Sequence, residues 1–412
     1  MTAITMPRTA VTPHDPRSIV IVMQTVEVGG MEAYCIDLAC EYARRGIRVT
    51  AVIPELAVFE VVRRKLEAGG VRVVRRDTNE RHGRLRQLLA WFPLGMRLRR
   101  LRPDVVHVNV AGGTGGIGVV AAARAFTGAT VALTEHNVPP EGLSTRQRLT
   151  HVIIDRTAHV TLAVSRYNAT LRRRRSSVRE RTFASVLNGV PLPSDPPQTR
   201  AEARAHVRAE LAIPEGEPVI GCVVRLVDGK GLPDLMRAFA RLRETHACRL
   251  LLVGDGPLAA ELEQLAAQLG VSNAVHFAGR QDDPFPYMAA MDIFALAVPA
   301  GSMSIALLEA MARGVAPVIT FCGPEEAVID GETGLAAPPS DPEGLARVLD
   351  RLLADTDLRR RLGDAAAEHV RRHFSMTRVA NDVLEAYASA RAGHVTGRLR
   401  ADAPPNPRPG GD

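Results

Sequence analysis

The amino-acid sequence predicts an α/β protein built from two doubly wound parallel sheets. Short apolar, β-branched runs alternate with stretches of helical period, which is typical of parallel sheets covered by helices. The alternation occurs twice, on either side of a proline-rich segment, PLPSDPPQTR (191–200). Its four prolines cannot continue a helix or a central strand, so we predict a link between two domains there. The 412 residues suffice for two domains of ordinary size.

The first half of the alternation begins at residue 18. Six runs are predicted to be buried strands: SIVIVM (18–23), RVTAVI (48–53), VRVV (71–74), DVVHV (104–108), TVALT (130–134) and HVTLAV (159–164). Helical stretches such as MEAYCIDLACEYARRG separate them. We therefore predict a first domain over 17–192. It is preceded by a disordered segment, 1–16, which lacks the apolar core of a signal peptide.

The second half repeats the pattern after the linker. Five runs are predicted to be strands: PVIGCVV (218–224), CRLLLVG (248–254), AVHFAG (274–279), MDIFALAV (291–298) and APVIT (316–320). We predict a second domain over 193–373, a final helix over 374–391 and a disordered, proline- and glycine-rich tail over 392–412. In such folds ligands bind at the carboxyl ends of the strands, here in a crevice between the domains.

Composition and charge narrow the class of protein. With 46% hydrophobic and 24% charged residues, the chain is typical of soluble globular proteins. It has no apolar run of the roughly 18 residues that span a membrane. Its five cysteines have no metal-ligand spacing, which favours reduced thiols in the cytoplasm. Residues 1–200 contain 30 Lys and Arg against 16 Asp and Glu, which indicates either nucleic acid or an anionic membrane surface as partner.

Two motifs of the first half follow predicted strands. Gly29 and Gly30 open the first helix, where the backbone can approach an anion closely and offer it free N–H groups. The spacing is not that of a nicotinamide-binding loop, and a purely structural turn fits it equally well. His136 follows the fifth strand and either contacts a substrate or is a structural residue with its hydrogen bonds satisfied.

Two motifs of the second half carry charge. Arg225 and Lys230 flank the loop after that domain's first strand, the arrangement that neutralises a diphosphate without a metal ion. The alternative is a solvated loop. Glu309 lies inside an apolar helical run, and an unpaired buried carboxylate would cost several kcal/mol. Either it lies on an exposed edge or pairs with Arg313, or it faces a ligand.

Eight short motifs, taken in order, resemble glycosyltransferase family 4, whose fold is GT-B. They are GGME (29–32), PDVVH (103–107), TEH (134–136), NGV (188–190), RLVDGKG (225–231), VGDGP (253–257), LLEAMARG (307–314) and DGETG (330–334). Each is weak alone, but their joint order is specific and covers residues 18 to 390. The resemblance implies two Rossmann-like domains facing across a cleft, with the C-terminal helix returning to the N-terminal domain.

The resemblance also implies a retaining transferase that moves a hexose-type sugar from a UDP- or GDP-linked donor to an acceptor hydroxyl, with no metal or cofactor. Glu309 would then accept hydrogen bonds from the ribose of the donor, which answers the question of its buried charge. The implied catalytic residues are Arg225, Lys230 and His136, and the implied donor-binding residues are Gly29, Gly30, Gly279, Arg280, Leu308, Glu309 and Glu326.

Two positions depart from the family pattern. Gly301 stands where the family usually has a glutamate, and Val224 stands where it usually has glycine. One alternative, supported by Gly301, is a member that binds a sugar nucleotide with weakened catalysis. Another is a different GT-B chemistry, that of a sugar-nucleotide epimerase or a phosphorylase. Nucleic-acid binding ranks third, because there is no recognition motif and only 4% of residues are aromatic.

The acceptor is expected to be a glycan or a lipid-linked molecule, and the protein to be cytoplasmic with docking on the inner face of the cell membrane. Basic residues around an apolar centre suit docking on anionic lipid. The basic residues are Arg84, Arg86, Arg97, Arg99, Arg100 and Arg102 around Trp91, Phe92 and Leu94, with Arg172 to Arg175 after Leu171. The alternative is that these are ordinary helices with one apolar face.

Overall fold

The computed structural model describes residues 15–77, 84–112, 116–137, 142–175, 182–194, 196–299, 303–320 and 326–393. Within 84–90, and at 175 and 197, only the backbone is described. The chain divides into two compact units. Unit 1 runs to Asn188 and resumes at Met376, and unit 2 runs from Gly189 to Ser375.

Unit 1 contains a parallel sheet of seven strands with helices on both faces. The strands are β1 (Ser18–Gln24), β2 (Arg48–Pro54), β3 (Arg72–Arg76), β4 (Val105–Val110), β5 (Thr130–Glu135), β6 (Val160–Ala163) and β7 (Phe183–Ser185). The helices between them are α1 (Gly30–Arg44), α2 (Glu60–Ala68), α3 (Arg84–Leu101), α4 (Ile117–Phe126), α5 (Thr145–Thr157) and α6 (Arg166–Arg175). The strand order β3-β2-β1-β4-β5-β6-β7 reverses direction between β1 and β4, and such a reversal is where doubly wound sheets bind ligands.

Unit 2 contains a parallel sheet of six strands. They are β8 (Val219–Val223), β9 (Arg249–Val253), β10 (Val275–Phe277), β11 (Ile293–Leu296), β12 (Ala316–Thr320) and β13 (Leu335–Ala337). Its helices are α7 (Pro197–Glu210), α8 (Leu232–Leu242), α9 (Ala259–Gln268), α10 (Phe285–Ala290), α11 (Ile305–Ala312), α12 (Pro342–Ala354) and α13 (Thr356–His373). The order β10-β9-β8-β11-β12-β13 places the reversal between β8 and β11.

The last helix, α14 (Met376–Arg391), belongs to unit 1 and packs against α1, β5 and β6. Buried Tyr387 reaches His107 of β4, and Tyr42 of α1 donates to the carbonyl of Ala380 over 3.3 Å. Arg45 Nη1 donates to Asn381 Oδ1 over 2.5 Å. The predicted fold class, with two doubly wound sheets and a C-terminal helix that returns to the first domain, is confirmed.

Three elements differ from the sequence prediction. The edge strands β7 and β13 were not predicted, because each has only three residues and too little pattern to recognise. Helix α7 begins at Pro197, inside the segment predicted to be a linker. Proline fits the first turn of a helix, where its missing N–H would have no partner within the helix.

Within the part of the chain that the structure describes, no helix has both the length and the apolar character needed to cross a membrane.

Candidate functional site

The loop after β8 carries the two predicted cations of unit 2. Arg225 is exposed and Lys230 is partly buried. Burial lowers the pKa of the Lys230 ammonium, the neighbouring charge of Arg225 lowers it further, and the thiol of Cys222 acts in the opposite direction. The positive charges of Arg225 and Lys230 are thus held near each other, and the Lys230 ammonium is also partly removed from water. A bound anion would relieve that repulsion, as expected of a site that receives a phosphate.

Gly231 allows this loop to pack closely at the point where the strand order reverses, between β8 and β11. It is the residue before α8, and its φ of +66° is a left-handed conformation that glycine adopts readily. A Cβ atom at this position would lie 1.8 Å from the carbonyl oxygen of Ala297, the residue after β11. The loop after β8 therefore packs directly on the carboxyl end of β11, and only glycine permits this.

Backbone hydrogen bonds join the loops after β8, β9 and β10. The N–H of Leu226 donates to the carbonyl of Asp255 over 2.7 Å, and the N–H of Gly254 donates to the carbonyl of Gly279 over 2.8 Å. Gly254 also approaches Val224, since a Cβ on it would lie 1.9 Å from the Val224 carbonyl oxygen. The structure thus brings the predicted residues Arg225, Lys230, Gly279 and Arg280 to one edge of the sheet, where Arg280 is exposed.

Glu309 lies one turn into α11, which follows β11 at the same edge. The helix is capped by Ser304, whose hydroxyl accepts the N–H of Leu307 over 3.3 Å. Glu309 is half-buried, and Arg313 donates to its backbone carbonyl over 3.1 Å. The side chain of Leu308 is fully buried in unit 2, so it has no surface to offer a ligand.

Glu326 is half-buried and precedes β13. Its backbone carbonyl accepts a hydrogen bond from Nε2 of His369 over 3.4 Å. Gly301, the position of the unusual glycine, lies outside the described residues, as do 321–325 just before Glu326.

In unit 1 the turn before α1 is already occupied by a carboxylate of the chain itself. The N–H of Gly29 donates to Oε2 of Glu32 over 2.7 Å, and Glu32 is buried. Gly29 has an extended backbone, with φ of −163°. The prediction that free N–H groups here receive an anion is therefore wrong for Gly29. Gly30 is the first residue of α1 and is exposed.

His136 lies directly after β5 and is held on several sides. Its N–H donates to the carbonyl of Val110 over 3.0 Å, and its own carbonyl accepts from Nδ2 of Asn168 over 3.4 Å. Its ring lies edge-on to Tyr34, with 5.0 Å between ring centres, and its Nε2 lies 3.0 Å from Oδ1 of Asn109. Burial, and secondarily the neighbouring His107, lowers the pKa of His136 to about 3, so the ring is neutral.

Sequence reasoning missed the partners of His136. Asn109 and His107 are both fully buried in β4. Nε2 of His107 lies 2.6 Å from the hydroxyl of Thr134, and Nδ1 lies 2.8 Å from the hydroxyl of Tyr387. The available signal was His107 inside DVVHV (104–108), the run predicted to be a buried strand, with a second polar residue, Asn109, directly after it; the strand in the structure extends to Val110 and includes both.

Beside His136 lies a buried ionic cluster. Nε of Arg172 lies 3.0 Å from Oε2 of Glu135, and its Nη2 lies 3.1 Å from Oδ1 of Asp155. All three side chains are buried. Arg172 was predicted to be a surface cation for membrane docking. That prediction is wrong, because Arg172 is buried in unit 1 and its charge is paired with Glu135 and Asp155.

These observations define a doubly wound, two-unit α/β protein with a cationic loop at the strand reversal of unit 2. Residues 28–192 match the family model described as Glycosyltransferase Family 4. Residues 203–369 match the model described as Glycosyl transferases group 1. The chain belongs to glycosyltransferase family 4 and has the GT-B fold.

Among known proteins, the chain is similar to the lipopolysaccharide core biosynthesis glycosyltransferase LpsE of Rhizobium meliloti, with 38% identity over 44% of this chain and 53% of that protein. It is 34% identical to a D-inositol 3-phosphate glycosyltransferase of Nocardia farcinica over 51% of this chain and 50% of that protein. The chain thus spans about half the length of the curated relatives it matches.

Solved structures agree with the fold. Anabaena HepE in complex with UDP and glucose aligns with a TM-score of 0.78 and 22% identity, over 90% of this chain and 99% of that chain. At this identity the likeness shows the fold alone.

Proposed function

We propose that this protein is a retaining glycosyltransferase that moves a hexose from a nucleotide-sugar donor to an acceptor hydroxyl in the synthesis of a glycan or glycolipid. The observation that carries the proposal is the pairing of Arg225 and Lys230 at the strand reversal of unit 2, where burial and mutual repulsion lower the pKa of the amine. Family membership supports transfer chemistry, and the relatives' names support a glycoconjugate product.

The arrangement suits a donor diphosphate. The guanidinium of Arg225 and the ammonium of Lys230 would neutralise the charge that develops on the leaving phosphate, the task of a metal ion in other transferases. We therefore expect transfer to proceed without added metal. Glu309, half-buried at the same edge, would accept hydrogen bonds from the ribose, while Gly279 and Arg280 would border the base. HepE was solved with UDP, so UDP-linked hexoses are the first donors to test, with GDP-linked hexoses beside them.

The reaction breaks the bond between the sugar's anomeric carbon and the diphosphate oxygen. A new bond forms between that carbon and the acceptor oxygen on the same face, and the acceptor's proton passes to the departing phosphate oxygen. Such a route needs no protein nucleophile. His136 would lie beside the transferred sugar as a neutral hydrogen-bonding group.

The test is a mass-spectrometric screen of UDP- and GDP-linked hexoses with candidate acceptor alcohols, with and without a chelator. We expect release of the nucleoside diphosphate to depend on the acceptor, to survive chelation, and to give a product of retained anomeric configuration by NMR. Conversion of the donor without an acceptor would indicate an epimerase, and dependence on inorganic phosphate a phosphorylase. Calorimetric binding of the nucleotide without any turnover would indicate a binding protein and refute the proposal.

We further propose that unit 1 docks on an anionic membrane that holds a lipid-linked acceptor, through the outer surface of α3, α4 and α5. These three helices lie side by side, with Phe92 of α3 edge-on to Phe126 of α4 at 5.2 Å. Their sequences contain one acidic residue, Asp155, which is buried against Arg172. Exposed arginines on or directly after them are Arg97, Arg99, Arg100, Arg102, Arg124, Arg146, Arg148 and Arg156.

The apolar part of this surface differs from the one predicted. Leu94 is buried in the core, and Trp91 is half-buried against Gly118, so of the predicted apolar centre only Phe92 is well exposed. Two side chains that were not predicted, Leu149 and Ile153 of α5, are 59% and 42% exposed. They lie one turn apart between Arg146 and Arg156, an arrangement typical of helices that lie on anionic lipid.

A further inference from the structure

The contact between His136 and Asn109 determines which nitrogen of the His136 ring carries the proton. Oδ1 of Asn109 lies 3.0 Å from Nε2 of His136, and an amide oxygen can only accept. The amide nitrogen of Asn109 points the other way, toward the carbonyl of His107 at 3.5 Å. The reverse orientation of the amide would set its oxygen against that carbonyl oxygen and its NH₂ against Nε2. The arrangement present therefore requires a proton on Nε2.

A neutral ring with a proton on Nε2 leaves Nδ1 as a hydrogen-bond acceptor. The surroundings keep the ring neutral, since it is buried beside His107 and the aromatic ring of Tyr34. His136 lies at the carboxyl end of β5, the edge at which doubly wound sheets bind ligands. Nδ1 is thus the ring atom that remains to meet a ligand there.

We propose that Asn109 is a positioning residue that fixes His136 in the Nε2–H tautomer, so that Nδ1 accepts a hydrogen bond from a hydroxyl group of the donor sugar. The inference rests on the proposed function for the presence of that sugar. It deepens the proposal by naming the substrate class as a neutral hexose. A carboxylate at this position would face the Nδ1 lone pair with lone pairs of its own, so a uronic acid is disfavoured.

The tautomer is measured first, on the full chain without any nucleotide. Nitrogen NMR of protein labelled with ¹⁵N-histidine distinguishes protonated from unprotonated ring nitrogens, and comparison with a His136→Gln variant identifies the signals among the 12 histidines. We expect His136 to show a protonated Nε2 and an unprotonated Nδ1 at pH 7. Adding UDP-glucose, but not UDP, should shift Nδ1 in the direction of hydrogen-bond acceptance.

Two variants test the role of Asn109. Asn109→Leu removes the acceptor, so we expect His136 to populate both tautomers. The ratio of the affinity for UDP-glucose to the affinity for UDP should fall about tenfold. Asn109→Asp keeps an acceptor and favours a doubly protonated ring. It should therefore bind UDP-glucuronate in preference to UDP-glucose, the reverse of the wild type. Asn381→Leu on α14 is the matched control and should leave the His136 signals unchanged. Circular dichroism checks that each variant folds.

Three outcomes would overturn the inference: a protonated Nδ1 in the wild type, an unchanged tautomer in Asn109→Leu, or UDP-glucose binding that leaves the His136 signals unmoved. Failure of the proposed function looks different. In that case no sugar nucleotide binds or turns over, while the tautomer is still measured in the free protein. An unchanged preference between UDP-glucose and UDP-glucuronate in Asn109→Asp would refute the specificity role alone.

Discussion

The hydroxyl of Tyr387 lies 2.8 Å from Nδ1 of His107, and this contact joins the last helix of the chain to the fourth strand of unit 1. Both side chains are buried, and burial lowers the pKa of His107 to about 3. His107 also reaches Thr134 of β5 through its Nε2. The returning helix is therefore attached through a polar contact inside the core as well as by apolar packing.

We expect Tyr387→Phe to lower the free energy of unfolding by about 1–3 kcal/mol, because it leaves a buried ring nitrogen of His107 without its partner. Denaturant unfolding followed by circular dichroism measures the change. Tyr287→Phe, on a half-exposed tyrosine of α10, is the control and should change stability by less than about 0.5 kcal/mol. Equal effects of the two substitutions would show that the Tyr387 contact does not stabilise unit 1.

Substitutions at two glycines of the loop after β8 distinguish the cost of a positive φ from the cost of a steric clash. Gly229 and Gly231 both have positive φ, of +75° and +66°. A Cβ at Gly229 would meet nothing within 4 Å, whereas one at Gly231 would collide with the Ala297 carbonyl. We expect Gly229→Ala to cost about 1–2 kcal/mol of stability and to retain UDP binding by calorimetry. Gly231→Ala should cost more and abolish binding, and equal behaviour of the two variants would contradict the close packing on β11.

The cation pair is tested by removing each charge separately. Arg225→Ala and Lys230→Ala should each slow transfer by about 10²-fold or more, the loss expected for one preorganised charge contact. Initial rates with saturating acceptor measure this. Lys65→Ala, at the chain's other lysine, on the exposed surface of α2, is the matched control and should keep the wild-type rate. Wild-type rates in Arg225→Ala or Lys230→Ala would remove the diphosphate assignment.

The sequence predicted the fold class because strand and helix periodicity are local properties of the chain. The loop residues Arg225 and Lys230 were also proposed from a local motif, since they lie in the loop after a predicted strand, whereas Gly279 and Arg280 were proposed only from the family resemblance. The contact between Asn109 and His136 is different in kind. It depends on the pairing of β4 with β5, in which Asn109 lies opposite Thr134, and single-strand patterns do not contain that register.

The burial of the Arg172 charge also could not be predicted from the sequence. Arg172 stands in a run of four arginines that resembles a solvated surface, yet it points inward to Glu135 and Asp155, whereas Arg173 and Arg174 are exposed. Its partners lie 37 and 17 residues away along the chain. The packing of α6 against the sheet turns Arg172 toward these partners, and the sequence of the run does not contain that packing.

The buried histidines predict a loss of stability in acid. The folded protein holds His107 and His136 neutral, with pKa values of about 3, while the unfolded chain protonates them below about 6.5. The unfolded chain therefore takes up more protons as the pH falls, and each histidine should cost about 2 kcal/mol of stability at pH 5. Unfolding free energies measured between pH 7 and pH 4.5 should fall less steeply for His136→Gln than for the wild type. Parallel pH profiles would show that His136 is not held neutral.

The surface of α3, α4 and α5 predicts binding to anionic vesicles. Its exposed arginines attract acidic headgroups, and Leu149 and Ile153 can enter the interface, so we expect co-sedimentation with vesicles containing phosphatidylglycerol but not with neutral ones, lost as salt rises. Combining Arg146→Glu with Arg156→Glu should abolish binding at low salt, and Leu149→Ser with Ile153→Ser should weaken it. Arg360→Glu, an exposed arginine of unit 2, is the control. Binding that persists in the variants with paired α5 substitutions would show that the docking surface lies elsewhere. Absence of vesicle binding by the wild type at low salt would indicate a soluble acceptor.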